Sequence, residues 1–330
     1  MAERDALIEA FLARHGWGEA ARAALAGDAS FRRYERLELD GTPAVLMNAA
    51  PPEEDVRPFV AIARHLAGLG YSAPAILGTD EAAGLLLLED LGDALYTQLL
   101  AGVHAPTEMT LYGPAIALLA DLHRHPPPAA TPPYDQAALL KEADLLVDWY
   151  IPHQRGGGPD AGLRAEYEAL WRGVLPRSET ADPVLVLRDY HADNLIWLPE
   201  RTGLARVGLL DFQDALAGSP AYDLVSLLED ARRDVAPATA EAGIAAYLAA
   251  RPELDATAFR AAYAILGAQR NCKIIGIFTR LCVRDAKPAY LDYLPRVWRL
   301  LGGDLAHPSL ADLHDWMMRE IPPALREREP

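Results

Sequence analysis

Cysteine is scarce: Cys272 and Cys282 are the only two in 330 residues, and no cluster of metal ligands surrounds either. This speaks against a disulfide scaffold and a cysteine-rich zinc site. Long hydrophobic runs are also missing, and no apolar stretch reaches the roughly eighteen residues a membrane span needs. The opening stretch, MAERDALIEAFLARHGWGEAARAAL, carries acidic side chains and lacks the apolar centre of a signal peptide. The expectation is a cytoplasmic protein with no membrane contact. Positive charge is in deficit as well. A formal charge of −16 at pH 7 repels a phosphate backbone, so no nucleic-acid partner is expected. One basic pocket for a small phosphate compound remains compatible with that total. Neither a Walker A loop nor a dinucleotide fingerprint occurs; the stretch GDASFRR lacks both the glycine spacing and the Gly-Lys-Ser/Thr ending.

What is present suits a globular chain. Hydrophobic residues make up 51% and charged residues 24%, enough for a sizeable core in one large domain or two lobes. Residues 3 to 26 read as a surface helix, with Leu7, Phe11, Leu12 and Ala21 at recurrent apolar positions. The next stretch reads as turn, strand, turn, strand: Phe31, Tyr34, Leu37 and Leu39 favour extended chain, and DGTP turns it into AVLM. A helix ending near Gly70 and two strands around an acidic turn complete a small sheet-rich region. Beyond Asp90, helical patterns dominate, at about 93–103, 107–125, 135–151, 160–174, 221–232, 238–250 and 256–281. Between them, PVLVL and ARVGLLDF read as strands, while HPPPAATPPY and RGGGPDAG interrupt helices. The pattern predicts an α+β fold with a small N-terminal sheet lobe over 1–91 and a larger, mostly helical lobe over 92–330.

Two polar loops carry the chemistry. Asp211 ends the apolar run RVGLLDF, and a carboxylate there is costly to bury unless it meets a cation or several hydrogen bonds. Asp189 ends the run PVLVLRD, and Asn194 follows five positions later. A hairpin closed by PERTGLA would bring the loop ends together. Oxygen ligands from Asn194 and Asp211 suit Mg2+, which needs few protein ligands when phosphates supply the rest. Asp189 could then orient and deprotonate a hydroxyl that attacks a terminal phosphoryl group.

This arrangement resembles the aminoglycoside phosphotransferase-like family, a branch of the protein-kinase fold. The resemblance implies a bilobal protein-kinase-like fold and the use of ATP and Mg2+. Asp189 matches the family's catalytic aspartate, and Asn194 and Asp211 match its metal-binding residues. Leu187 and Arg188 stand where the family carries His-Gly, and Gln213 where protein kinases carry glycine. LLLLEDLGD resembles the connection between lobes, whose Glu89 carbonyl and Leu91 amide would bind adenine. GDASFRRY resembles the turn that covers the nucleotide, with Ser30 and the backbone near Phe31 at the phosphates. Asp223, in GSPAYDLVSL, matches the residue that braces the catalytic loop. The family's phosphate-binding lysine is missing: no lysine precedes Lys141, and Met47 and Asn48 occupy the likely strand region. Arg32 or Arg33 is the expected substitute, although Arg and Lys differ in geometry.

The larger pattern, from GDASFRRY and VLMNAAPPEED through RDYHADNLIWL to GAQRNCKIIGIFTRL, resembles a bacterial subgroup of anomeric kinases of N-acetylmuramate and N-acetylglucosamine. It implies transfer of the ATP γ-phosphoryl group to the sugar C1 hydroxyl for cell-wall recycling, by a monomer whose partner is a small amino sugar. Trp149, Tyr150 and His153 are candidates for an acceptor wall, with packing in the core as the plainer alternative. Arg155, Arg270, Lys273 and Arg280 are candidate cations for the lactyl carboxylate of N-acetylmuramate. His191 either shapes its loop or touches substrate, Asp214 approaches the metal or the acceptor or else caps the next segment, and Asp193 organises its loop. His123 and His125 read as a solvated helix end. Kinases of aminoglycosides, choline or homoserine share this machinery, a magnesium hydrolase would use water instead, and a nucleotide-binding pseudokinase would transfer nothing.

Overall fold

The computed structural model describes residues 2–25, 32–102 and 107–326; Ser30 and Phe31 lie outside the described residues. In chain order the first elements are α1 (Ala2–Arg14), β1 (Ala21–Ala24), β2 (Arg33–Leu39), β3 (Thr42–Asn48), α2 (Arg57–Gly68), β4 (Ile76–Asp80), β5 (Leu85–Glu89) and α3 (Tyr96–Ala101). Then come α4 (Glu108–Leu122), α5 (Gln136–Ala143), a π-helical turn (Leu146–Tyr150), α6 (Ile151–Arg155) and α7 (Ala161–Val174). Four short strands follow: β6 (Val184–Val186), β7 (Leu195–Trp197), β8 (Val207–Leu209) and β9 (Leu216–Gly218). The chain closes with α8 (Ala221–Leu228), α9 (Pro237–Ala250), α10 (Ala256–Asp285), α11 (Leu294–Leu305), α12 (Ala311–Glu320) and α13 (Pro323–Arg326).

These elements form two compact units, Met1–Pro106 with Asp193–Ala215, and Thr107–Ala192 with Leu216–Pro330. The grouping is discontinuous, so one cut after residue 91 does not describe it. The β7–β8 hairpin goes with the N-terminal residues because it bonds to them: Leu209 N donates to the Ser72 carbonyl (2.9 Å) and Trp197 N to the Ala94 carbonyl (2.8 Å).

The first unit is built on an antiparallel sheet of order β1-β2-β3-β5-β4. Asp40 and Gly41 both have positive φ (51° and 76°), the backbone that a two-residue hairpin between β2 and β3 requires. Alternation then gives the sheet two faces. Leu37, Ala44, Leu46, Leu85 and Leu87 pack against Ile8, Phe11 and Leu12 of α1. Tyr34, Arg36, Val45, Met47 and Leu88 instead line a cavity that Phe59 of α2 also borders. Helix α2 buries Phe59, Val60, Ile62, Ala63 and Leu66, the stripe its spacing dictates.

The expected helix over 3–26 stops at Arg14. Backbone bonds from His15 and Trp17 close it onto the Phe11 and Leu12 carbonyls, and residues 21–24 pair with β2 instead. Edge pairing overrides the helical preference of an alanine-rich stretch here.

The second unit is mostly helical. Asp135, Asp160 and Asp255 cap α5, α7 and α10 by accepting from Ala138, Leu163 and Ala258 amides at 2.9, 2.6 and 2.7 Å. Helix α10 runs 30 residues and is buried nearly all round from Ala262 to Gly276, so it forms the unit's axis. Its polar residues Arg270, Asn271 and Lys273 are buried within that span and must find partners. Strand β6 pairs with β9, a strand not expected from the sequence. Among the described residues, no helix is long and apolar enough to cross a membrane.

Candidate active site

The first unit assembles one set of functional groups. Register Leu195↔Leu209 in the β7–β8 hairpin brings Asn194 opposite Leu210, whose amide donates to the Asn194 carbonyl (3.0 Å). Asp211 is the next residue. Gly208 permits this hairpin to seat: a Cβ there would lie 3.2 Å from both Ile196 and Leu91, tighter than ordinary packing. Asp211 adopts φ 56°, a left-handed conformation uncommon outside glycine but better tolerated by aspartate. Phe212, 1% exposed, fixes that turn by stacking on Phe59 with centroids 4.8 Å apart. Gln213 Nε2 donates to Asp211 Oδ1 at 2.8 Å. Asp193 accepts from the Thr97 hydroxyl, which makes it a loop organiser.

Asn194 and Asp211 line the same cavity, about 430 Å³ in volume, together with Val45, Met47, Leu88, Leu91 and Ile196. An apolar slot ending in charged groups suits a planar base joined to phosphates. Arg36 ties this wall down by pairing with Asp90 at 2.6 Å and Asp93 at 2.7 Å. Among the described residues there is no cluster of three or more His, Cys, Asp or Glu able to cage a metal. Asn194 and Asp211 nevertheless offer hard oxygen donors, so they fit a magnesium ion that takes its remaining ligands from phosphate and water.

Of the residues expected to bind the nucleotide, Arg32, Glu89 and Leu91 border the cavity. The Glu89 carboxylate pairs with Arg201 and accepts from the Ala75 amide, leaving its role at the cavity to its backbone. Arg33 is exposed and has the strand parity of Leu37, which faces α1, so Arg33 is not a cavity residue. Asp214 is more than half exposed, 3.9 Å from Arg32.

The second unit holds the other set. Asp223, in the first turn of α8 and fully buried, accepts from the Leu187 amide (2.6 Å) and the Arg188 amide (2.8 Å). It therefore braces the loop that presents Asp189. Arg188 has φ 70°, at the position where the pattern it resembles carries glycine. Its side chain compensates by pairing with Glu142 and lying over the Tyr134 ring, 5.6 Å from the centroid. Glu142 also meets Lys273 Nζ at 3.1 Å and the Tyr134 hydroxyl. Burial alone would raise the Asp189 carboxyl, but the cations Lys273, Arg188 and Arg270 hold it below the usual carboxylate range. Asp189 is thus an ionised carboxylate in a cationic setting. Tyr190, beside it, is anchored by donating to the Ala115 carbonyl at 2.9 Å.

His191 is buried, and burial lowers its pKa against the pull of Asp230. Its Nε2 lies 3.3 Å from Arg232 Nη1. A guanidinium only donates, so Nε2 accepts and the neutral ring carries its proton on Nδ1. Arg270 is 5% exposed and donates to the Glu229 carbonyl at 3.4 Å. Tyr150 is a core residue: its ring packs on Trp298 at 5.2 Å and its hydroxyl donates to the Leu325 carbonyl. Trp149 and His153 flank it, half-buried. Arg155 pairs at the surface with Glu320, and Lys273 with Glu142, which narrows the acceptor cations. His123 is not solvated; it is buried, 2.7 Å from the Tyr247 hydroxyl and 3.9 Å from Asp223, because α4 ends inside the core.

Sequence reading missed Glu142. A signal existed: it lies three residues after Leu139 and beside Ala143, within the buried stripe of α5.

Residues 22–259 match the phosphotransferase enzyme family. The chain is 44% identical to an N-acetylmuramate/N-acetylglucosamine kinase of Caulobacter vibrioides over 97% of both chains. It is 37% identical to an enzyme of the same name from Pseudomonas aeruginosa, over 94% of this chain and 92% of that one. In fold it is similar to a choline kinase from Streptococcus pneumoniae (TM-score 0.64, 14% identity, 92% of this chain and 100% of that one). An ADP-bound aminoglycoside phosphotransferase is similar too (TM-score 0.56, 17% identity, 85% and 92% covered). Family match, end-to-end likeness to curated kinases and the geometry of both polar loops lead to one conclusion: the chain belongs to the phosphotransferase enzyme family.

Proposed function

We propose that this chain transfers the γ-phosphoryl group of ATP to the anomeric C1 hydroxyl of N-acetylmuramate and N-acetylglucosamine. It does so in the cytoplasm, as a monomer, and the sugar 1-phosphates feed cell-wall recycling. The observation that carries the substrate reading is 44% identity across 97% of a relative named for both sugars.

Asp189 is the catalytic base. Cations keep it ionised, so it accepts a hydrogen bond from the C1 hydroxyl, aims it at the γ-phosphorus and takes its proton as the new O–P bond forms and the bond to the β,γ-bridging oxygen breaks to release ADP. An anomeric hydroxyl is more acidic than an ordinary alcohol, which suits a base this weak. Asn194 and Asp211 would hold magnesium, which would supply positive charge to offset that of the phosphates. The Glu89 carbonyl and Leu91 amide hold adenine. Arg270, among the cations acting on Asp189, is our choice for the lactyl carboxylate. The same setting disfavours a cationic acceptor such as an aminoglycoside or choline, which needs anionic or aromatic surroundings.

The test is kcat/KM across an acceptor panel. Both amino sugars should exceed choline, homoserine and an aminoglycoside by at least about a hundredfold. Comparable turnover of choline or an aminoglycoside would sink the sugar reading, and acceptor-independent phosphate release would favour a hydrolase.

A further inference from the structure

Two arginines of one sheet face behave differently. Arg36 grips Asp90 and Asp93 at 2.6–2.7 Å, the spacing of a committed, charge-assisted bond. Arg32, only 12% exposed in its side chain, stands 3.5 Å from Glu54, 3.5 Å from Asp211 and 3.9 Å from Asp214. Each carboxylate contact is longer than such a bond, and its buried Nε has no hydrogen-bond partner among the described residues, the Tyr34 side chain being the neutral group that shares a hydrogen bond with the guanidinium. Arg32 is thus shared loosely among three carboxylates. Arg32 and Asp211 both line the cavity.

We infer that Arg32 is a displaceable counter-ion. Without nucleotide it neutralises the Asp211 and Asp214 carboxylates; when Asp211 takes a divalent cation, Arg32 turns from those carboxylates to the phosphate oxygens beside it. This rests on the ATP and magnesium reading above. The physical cause is like-charge repulsion: a divalent ion held by Asp211 would repel the guanidinium now 3.5 Å from that carboxylate and would weaken the carboxylate's pull on it. The phosphates supply the replacement anion, and the long side chain lets the head move while its stem stays packed.

The device gives Arg32 opposite effects on two ligands. Removing it should strengthen metal binding to the nucleotide-free protein and weaken binding of phosphates. With Mn2+ as probe, Arg32→Gln should bind the ion alone about tenfold more tightly than the unaltered protein, read by electron paramagnetic resonance. The same variant should bind ATP about thirtyfold more weakly by calorimetry, while its adenosine affinity stays put and shows the pocket intact. Arg32→Lys, which keeps the charge, should hold ATP affinity within about threefold. Arg33→Gln should leave all three affinities at their original values. Unchanged or weakened Mn2+ binding in Arg32→Gln would overturn the counter-ion role, as would parallel losses of adenosine and ATP. If the unaltered protein bound no ATP, the nucleotide reading beneath the inference would fall as well.

Discussion

The loop that presents Asp189 and the loop that presents Asp211 are held by different forces. The Asp189 loop hangs on a buried carboxylate: Asp223 accepts two consecutive amides, and the left-handed Arg188 is secured by Tyr134 and by Glu142, which also pairs with Lys273. The Asp211 loop hangs on shape: Phe212 stacks on Phe59, and Gly208 lets the hairpin lie against Leu91 and Ile196. Both presenting turns use left-handed backbone at a residue other than glycine, Arg188 in one and Asp211 in the other. The contrast suits the proposed tasks. A base must keep its charge and direction, which an electrostatic brace controls, whereas a metal ligand must keep its position, which a packed ring controls.

The comparison can be broken or sharpened in four ways. The largest effect belongs to the proposed base. Asp189→Asn should lower kcat by about a thousandfold while leaving ATP affinity near its original value. Full turnover in a folded variant would remove Asp189 from its role. Next comes the brace. Asp223→Ala strands two amides in the interior and should cost about 3 kcal/mol in urea unfolding; a loss below about 0.5 kcal/mol would show that the loop does not depend on it.

Acid should separate the two loops. Burial would raise Asp189 and Glu142, but Lys273, with Arg188 among the other cations, holds both below their ordinary values of 3.8 and 4.5. A folded pKa below the unfolded one means stability that is full above the unfolded value and lost as pH falls through the folded one. Hydrogen-exchange protection of the Leu187 and Arg188 amides should therefore fall below about pH 4.5, before that of Leu209 and Leu210. Simultaneous loss at all four amides would contradict separate anchoring. The smallest effect is predicted for shape. Phe212→Leu should cost under about 1.5 kcal/mol, by the same amount at pH 5 and pH 7, because a ring contact exchanges no proton.

Much of this architecture is legible in the chain. Strands β2 and β3 and their turn follow from alternation around Asp40-Gly41, and α2 from its apolar stripe. Asp189, Asn194 and Asp211 stand out because each ends or begins an apolar run, where a polar group needs a partner. The parity that separates Arg32 from Arg33 is also there to be read: Arg32 keeps step with Tyr34 and Arg36, Arg33 with Leu37. What was not legible depends on distant partners. ARAA becomes β1 only because β2 offers it an edge, and β9 exists because β6 does. Glu142 acquires meaning from Arg188 and Lys273, far along the chain. His123 looks like a helix-end histidine until the fold wraps Tyr247 and Asp223 around it.

The central claim is the bond formed, and one spectrum tests it. The purified protein would be incubated with ATP, Mg2+ and N-acetylmuramate, and the product examined by phosphorus–proton correlation NMR. The account predicts a new phosphate signal coupled to the anomeric proton of the sugar. A phosphate coupled to protons at C6, or inorganic phosphate with the sugar unchanged, would contradict it.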